Sequence, residues 1–308
     1  MKRRDFISRI AFGAAAGVVV GYDGAMSRAS VEATSISRIS ISTWSLHNYF
    51  ASTREQEFNL PGKMIALLDF PDIIVSKYKV HNFEFCAPHF ASTDAAYLRD
   101  LKARLDKAGS KVINMPVDID ELGYKGGLSD PDKKVRDQAI AGAKKWIDVA
   151  VQIGCRSVRC DPGAMNPKNL APTIDSYKQL SEYGKTKNVY VVIENHGGLG
   201  SEHPEELVAL FKGVGGNFIG ALPDFNNFPN ETVRAKGLEL LFPYARLVCH
   251  AKGMEFDAAG NETKFNFPRC IEISKKAGFK GIYSIEFEGP GDPYTGCQKV
   301  LNNLLKYL

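Results

Sequence analysis

From residue 39 onward the chain repeats one alternation eight times: a short apolar, β-rich run, then a longer stretch with helical spacing. The runs are ISISTW (39–44), HNFEFC (81–86), KVINMPV (111–117), RSVRCD (156–161), VYVVIEN (189–195), FIGALPD (218–224), RLVCHAK (246–252) and IYSIEFE (282–288). Amphipathic stretches such as Asp94–Ala108, Pro131–Ile153, Pro204–Lys212 and Asn266–Ala277 separate them. After the last run, Val300, Leu301, Leu304 and Leu305 recur at helical spacing. Eight strands, each followed by a helix, predict an α/β fold of one kind, a single (β/α)8 TIM barrel over residues 36–308. An open doubly wound sheet would carry a glycine-rich phosphate turn after its first strand, and SLHNYF (45–50) has none. The long connectors Leu46–Pro61 and Val117–Asp130 then become loops at the barrel mouth, and the polar, turn-rich segment Glu255–Phe265 is a candidate for closing over a ligand.

In such a barrel the reactive groups come from the C-terminal ends of the strands. Strand five ends in Glu194 and His196, strand six in Asp224, strand seven in His250 and Lys252, and strand eight in Glu286 and Glu288. Polar residues two apart share one face of a strand. With Val192 and Cys249 assigned to the helix-facing side, these pairs point into the barrel. Glu194, Asp224, His250 and Glu286 thus converge from four successive strands. Three carboxylates and an imidazole in a dry mouth need a positive charge among them. A divalent cation meets that need, and an oxygen-dominated set with one nitrogen favours Mn²⁺, with Mg²⁺, Co²⁺ or Zn²⁺ as alternatives.

The phrases ENHGG, PDFNNF, HAKG and IEFEG, in that order on strands five to eight, together with HNFEFCAPHF around Glu84, resemble the xylose-isomerase-like sugar (phosphate) isomerase/epimerase superfamily. In the ketose-epimerase branch the strand-five and strand-eight glutamates bind the metal and exchange protons with the substrate. The resemblance implies these roles for Glu194 and Glu286, with Glu288 lying beyond at the mouth. His196 and Lys252 are candidates for substrate hydroxyls or an oxyanion, and Glu84 either binds substrate or orients a neighbour. Two positions depart from that branch: Asn227 stands where it carries a histidine, and Phe256 where it carries a substrate-binding arginine.

Such a site supports proton abstraction beside a metal-polarised carbonyl, through an enediolate. Return of the proton to the opposite face gives epimerisation, and return to the neighbouring carbon gives isomerisation. If the adjacent carbon bears a leaving group, the same proton loss becomes a β-elimination, as in a 3-keto-glycoside lyase. A nuclease of the apurinic-endonuclease type would use more ligands, several of them histidines, and only some of the six histidines here can reach the mouth; metal content and loss of activity on mutation would separate an enzyme from a non-catalytic sugar-binding module. Net charge is +4, with 39 basic and 35 acidic residues interspersed, so there is neither a nucleic-acid stripe nor a polybasic membrane patch. The expected partner is a small sugar or keto-glycoside, with no nucleic acid and no membrane in the mature form; assembly into a homo-oligomer stays open.

Residues 1–35 read as an export leader. Arg3 and Arg4 precede Asp5, Phe6 and Ile7, and the apolar run Ile10–Gly21 is too short to span a bilayer. The arginine pair resembles a twin-arginine signal and implies a periplasmic protein, with an ordinary Sec signal or an uncleaved anchor as the alternative. Six cysteines follow no CxxC spacing, and several lie in apolar runs, which points to free buried thiols.

Overall fold

The computed structural model describes residues 35–54, 63–123 and 125–308; the expected leader lies outside them but for its last residue. Eight strands follow one another: β1 (Ile39–Ser42), β2 (Asn82–Glu84), β3 (Lys111–Pro116), β4 (Ser157–Arg159), β5 (Tyr190–Glu194), β6 (Ile219–Leu222), β7 (Val248–Gly253) and β8 (Ile282–Phe287). Each leads to a helix: α1 (Phe70–Tyr78), α2 (Ala95–Lys107), α3 (Lys133–Ile153), α4 (Ala171–Lys187), α5 (Pro204–Val214), α6 (Glu231–Leu241), α7 (Phe267–Lys276) and α8 (Pro293–Tyr307). All ladders are parallel and run in the order β6-β5-β4-β3-β2-β1-β8-β7. The two ends of that sheet meet through the parallel bridges Ala221↔Ala245 and Asp224↔His250, so the wall curls into the expected (β/α)8 barrel. Among the described residues no helix is long and apolar enough to cross a membrane.

Local chemistry sets the helix limits. Asp132, Asn230, Asn266 and Asp292 accept backbone N–H bonds at the starts of α3, α6, α7 and α8, and Gly154 ends α3 in the left-handed region at φ 76°. The side-chain alternation along the strands sorts inside from outside. Val191 and Ile193 join the large core between sheet and helices, as does Cys249. Val192 faces the other way, packing with Ile113, Leu222 and Val248 inside the barrel. This corrects its assignment to the helix-facing side, since a residue two before Glu194 must share that glutamate's face. The barrel lumen thus has an apolar plug below and polar groups above.

Two further expectations meet the structure here. All six cysteines are buried and free. The segment after β7 is tied down: Phe256 bridges Glu262, the buried Glu262 carboxylate accepts from the N–H groups of Met254 (2.7 Å) and Lys264 (2.8 Å), and Asn303 of α8 donates to Gly260 O at 2.7 Å. The candidate for closing over a ligand is thus a hairpin tied to α8.

Candidate metal centre

His250, the third residue of β7, has no exposed side-chain surface and uses both ring nitrogens. Its Nε2 meets Glu84 at 2.9 Å, and its Nδ1 faces Glu194 Oε1 at 3.1 Å, Glu286 Oε2 at 3.3 Å and Asp224 Oδ2 at 3.5 Å. One ligand atom from each of Glu194, Asp224, His250 and Glu286 lies within 4.8 Å of all the others. An ion with bonds of about 2.1 Å holds neighbouring ligands about 3 Å apart and opposite ones about 4 Å apart. The four side chains therefore have the spacing of a coordination shell.

The hydrogen-bond logic agrees with the spacing. If Nε2–H donates to Glu84, Nδ1 is an acceptor pointing at three other acceptors, which only a cation or an extra proton resolves. Asp224 Oδ2 and Glu194 Oε2 are buried and make no hydrogen bond, but each faces a cation, Lys252 at 3.3 Å and Arg159 at 3.1 Å. Burial disfavours the His250 imidazolium, yet Glu286, Glu84 and Glu194 together hold its pKa well above the ordinary value. The same carboxylates that favour a proton on this imidazole, beside the cations of Arg159 and Lys252, could hold a divalent ion in its place.

The backbone fixes these groups independently of an ion. Asn195 clamps the end of β6, its Oδ1 accepting from Asp224 N at 2.8 Å and its Nδ2 donating to Asp224 O at 3.2 Å. Asp224 Oδ1 in turn accepts from the N–H groups of Asn226 and Asn227. Asn227, one of the two departures from the ketose-epimerase branch, donates to Glu194 Oε1 at 3.0 Å. Gly197 and Gly198, at φ 70° and 53°, turn the chain sharply after β5 and begin the next helical turn.

Glu84 is fully buried beneath His250 and accepts from Asn114 Nδ2 (2.8 Å) and Ser284 Oγ (3.3 Å). Of the two roles expected for it, these contacts fit the orienting one, since its carboxylate meets His250 Nε2 on the side away from Glu194, Asp224 and Glu286. Lys252 is also buried, paired with Asp224 (3.3 Å), Glu288 (3.1 Å) and Glu286. Burial disfavours its charge, but Asp224, Glu286 and Glu288 hold its pKa well above the usual lysine value. Glu288 stands at the rim, where Trp44 Nε1 donates to it at 2.7 Å. His196 lies half-exposed at the mouth, 2.7 Å from Asp161; that hydrogen bond and the Glu194 charge raise its pKa to about 9. Phe256 stacks on Phe287 in the pinned hairpin and supplies no group to the site.

One residue escaped the sequence reading. Arg159, at the end of β4, is buried with Nε 3.1 Å from Glu194 Oε2 and Nη1 2.7 Å from both Asp118 and Asp161. Burial would raise the Glu194 carboxyl, but His250 and Arg159 hold it at about 2. Burial likewise opposes ionisation of Glu286, which His250 and Lys252 hold well below the ordinary range. Both glutamates thus present anionic oxygens at neutral pH, each backed by a fixed cation. The signal was present in RCD (159–161), a polar pair two apart at a strand end, the same pattern that marked Glu194 and His196.

Residues 74–306 match the family described as xylose isomerase-like TIM barrel. Comparison with curated proteins finds no match. Among solved structures, an L-ribulose 3-epimerase superposes with a TM-score of 0.65 at 15% identity, covering 88% of this chain and 95% of the other. The 3-keto-D-glucoside 4-epimerase of E. coli gives 0.62 at 14% identity, over 87% and 99% of the two chains. A xylose isomerase-like TIM barrel protein from Mycobacterium smegmatis in complex with magnesium gives 0.59 at 15% identity, over 88% and 97%. With the family match running over most of the barrel and the same architecture in these structures, the chain belongs to the xylose isomerase-like TIM-barrel family.

Proposed function

We propose that this protein is a divalent-metal-dependent sugar isomerase or epimerase that abstracts a proton beside a carbonyl. The observation that carries the reading is the convergence of Glu194, Asp224, His250 and Glu286 on one point, with His250 pinned from behind by Glu84. These four would hold the ion, for which an oxygen-rich set with one imidazole favours Mn²⁺. When bound there, the ion polarises a substrate carbonyl and acidifies the neighbouring C–H. Glu194 and Glu286 supply two ionised carboxylates from β5 and β8, the outer two of the four contributing strands, so that one could remove a proton and the other return it. Arg159 and Lys252 keep those carboxylates charged. Glu288 and Trp44 form a linked rim against which sugar hydroxyls can be bound, with Lys252 buried behind Glu288. The related 3-keto-D-glucoside and L-ribulose epimerases support a sugar substrate.

A second reading, cleavage of 3-keto-glycosides by β-elimination, is favoured by the Asp161–His196 pair. It places a protonated, half-exposed imidazole beside Glu194, suited to protonating a departing alkoxide. The twin-arginine leader belongs with this proposal, since export would bring the enzyme to extracellular glycosides.

The test is incubation of the manganese-loaded enzyme with ketoses and 3-keto-glycosides in D₂O, followed by NMR. Deuterium incorporation without cleavage identifies an epimerase or isomerase, and release of an aglycone identifies a lyase. Glu194→Gln and Glu286→Gln should each slow exchange by about 10²–10⁴-fold. Full activity of chelator-stripped protein containing no transition metal would overturn the reading.

A further inference from the structure

Two cavities open above β3, β4 and β5. The smaller, about 170 Å³, is bounded by Glu194, His196, Asp161 and the Gly197–Gly198 turn. The larger, about 1070 Å³, lies between the loop after β3 and the loop after β4. Asp161 and Gly163 line both, so the two adjoin. Arg159 makes the connection direct, touching Asp118 and Asp161 of the larger cavity and Glu194 of the reacting site with one guanidinium. Asp161 Oδ1, on the shared wall, is buried without a hydrogen-bond partner.

The larger cavity sits at the top of the range of roughly 300–1,000 Å³ typical of small-molecule sites, more room than one sugar ring fills. Its wall carries Asp118, Asp120, Glu121 and Asp161, and no basic residue lines it among the described residues. Arg159 and His196 offset Asp118 and Asp161 from behind and leave the wall acidic. Val117, Ile119 and Leu122 add an apolar face. Such a surface suits a ring that is hydroxylated and uncharged; a phosphate or carboxylate there would meet Asp120 and Glu121 with no basic residue on the described lining.

We infer that this cavity is a second subsite, taking an uncharged ring joined to the reacting sugar and excluding anionic substituents. The substrate class is thus a neutral keto-glycoside of two or more rings. The inference rests on the metal-centred reaction proposed above, and it is tested separately from it.

The probes are 3-keto-glucose, its 6-phosphate and 3-keto-cellobiose, presented to the full-length, manganese-loaded protein. Calorimetry reads binding, and NMR in D₂O reads C–H exchange. The expected order of affinity is 3-keto-cellobiose, then 3-keto-glucose, then the phosphate, with about tenfold or more between first and last. Gln138→Trp fills the larger cavity from α3, and Asp120→Lys reverses charge on its wall. Both should remove the advantage of 3-keto-cellobiose while leaving 3-keto-glucose binding unchanged, and Asp120→Lys should narrow the gap to the phosphate. The subsite is overturned if the phosphate binds as well as the neutral sugar, if 3-keto-cellobiose binds no better than one ring, or if neither variant alters the preference. Preferential binding of 3-keto-cellobiose without C–H exchange would retain the subsite and sink the reaction. Exchange with a preference for the phosphate would do the reverse.

Discussion

Glu84 and Glu194 are both buried glutamates on barrel strands, yet one serves the imidazole and the other faces the reaction space. The difference lies in which histidine nitrogen each meets. Glu84→Gln keeps the shape but weakens the hold on Nε2, and should lower Mn²⁺ affinity by about 10–100-fold in calorimetric titration. His196 offers a test in pH. Its pKa rises from 6.5 to about 9 through Asp161 and Glu194, so the protonated pair stabilises the fold fully below about pH 6.5 and is lost as pH climbs through 9. Denaturant midpoints should therefore fall across that window, and His196→Gln should flatten the fall; equal slopes would remove the pair from the account. At this scale the cluster was legible because each member is a polar residue on the inward face of one of four successive strands or just beyond it. Lys252 and Glu84 were only half legible. A sequence marks them as polar and inward-facing, but the partners that seal them come from strands one, two and three positions away around the barrel.

At the scale of elements, the alternation of short apolar runs and helical stretches located all eight strands, since each must be apolar on its helix-facing side whatever lies inside. Val192 shows where that reading slips: apolar residues fill the lumen below the site as well, so hydrophobicity alone does not say which face is which. The mouth loops were legible only as loops. The segment after β7 looked free because its composition is polar, but Glu262 turns inward to collect its own backbone N–H groups. Helix α4 and strand β5 depend on a close approach that composition also hides. A Cβ at Gly184 would lie 2.4 Å from Val189 O, backbone that cannot yield. Gly184→Ala should destabilise the protein by about 1–3 kcal/mol, read as a lower urea midpoint. An unchanged midpoint would show that α4 can slide on the sheet.

For the whole molecule, the barrel gathers its acidic side chains at one end of its lumen while the chain as a whole carries +4. An ion that binds only the folded state stabilises it by mass action, by about 2.7 kcal/mol at a hundredfold excess over its dissociation constant. The melting temperature should rise with Mn²⁺ and fall with chelator, and Asp224→Asn should blunt both responses; a chelator-insensitive melt would argue against a resident metal.

The sheet ladders run without a break from β6 round to β7, and only isolated bridges join those two strands. One of the bridges pairs Asp224 with His250, the N–H of His250 donating to Pro223 O at 2.9 Å and that of Phe225 to His250 O at 3.2 Å. The ring is thus fastened where two of its prospective ligands stand, one on either side of the join. An ion held there would work as a clasp. Its removal should loosen the hoop at that join first, so that the amides of Phe225 and His250 exchange with solvent before those of the strands opposite.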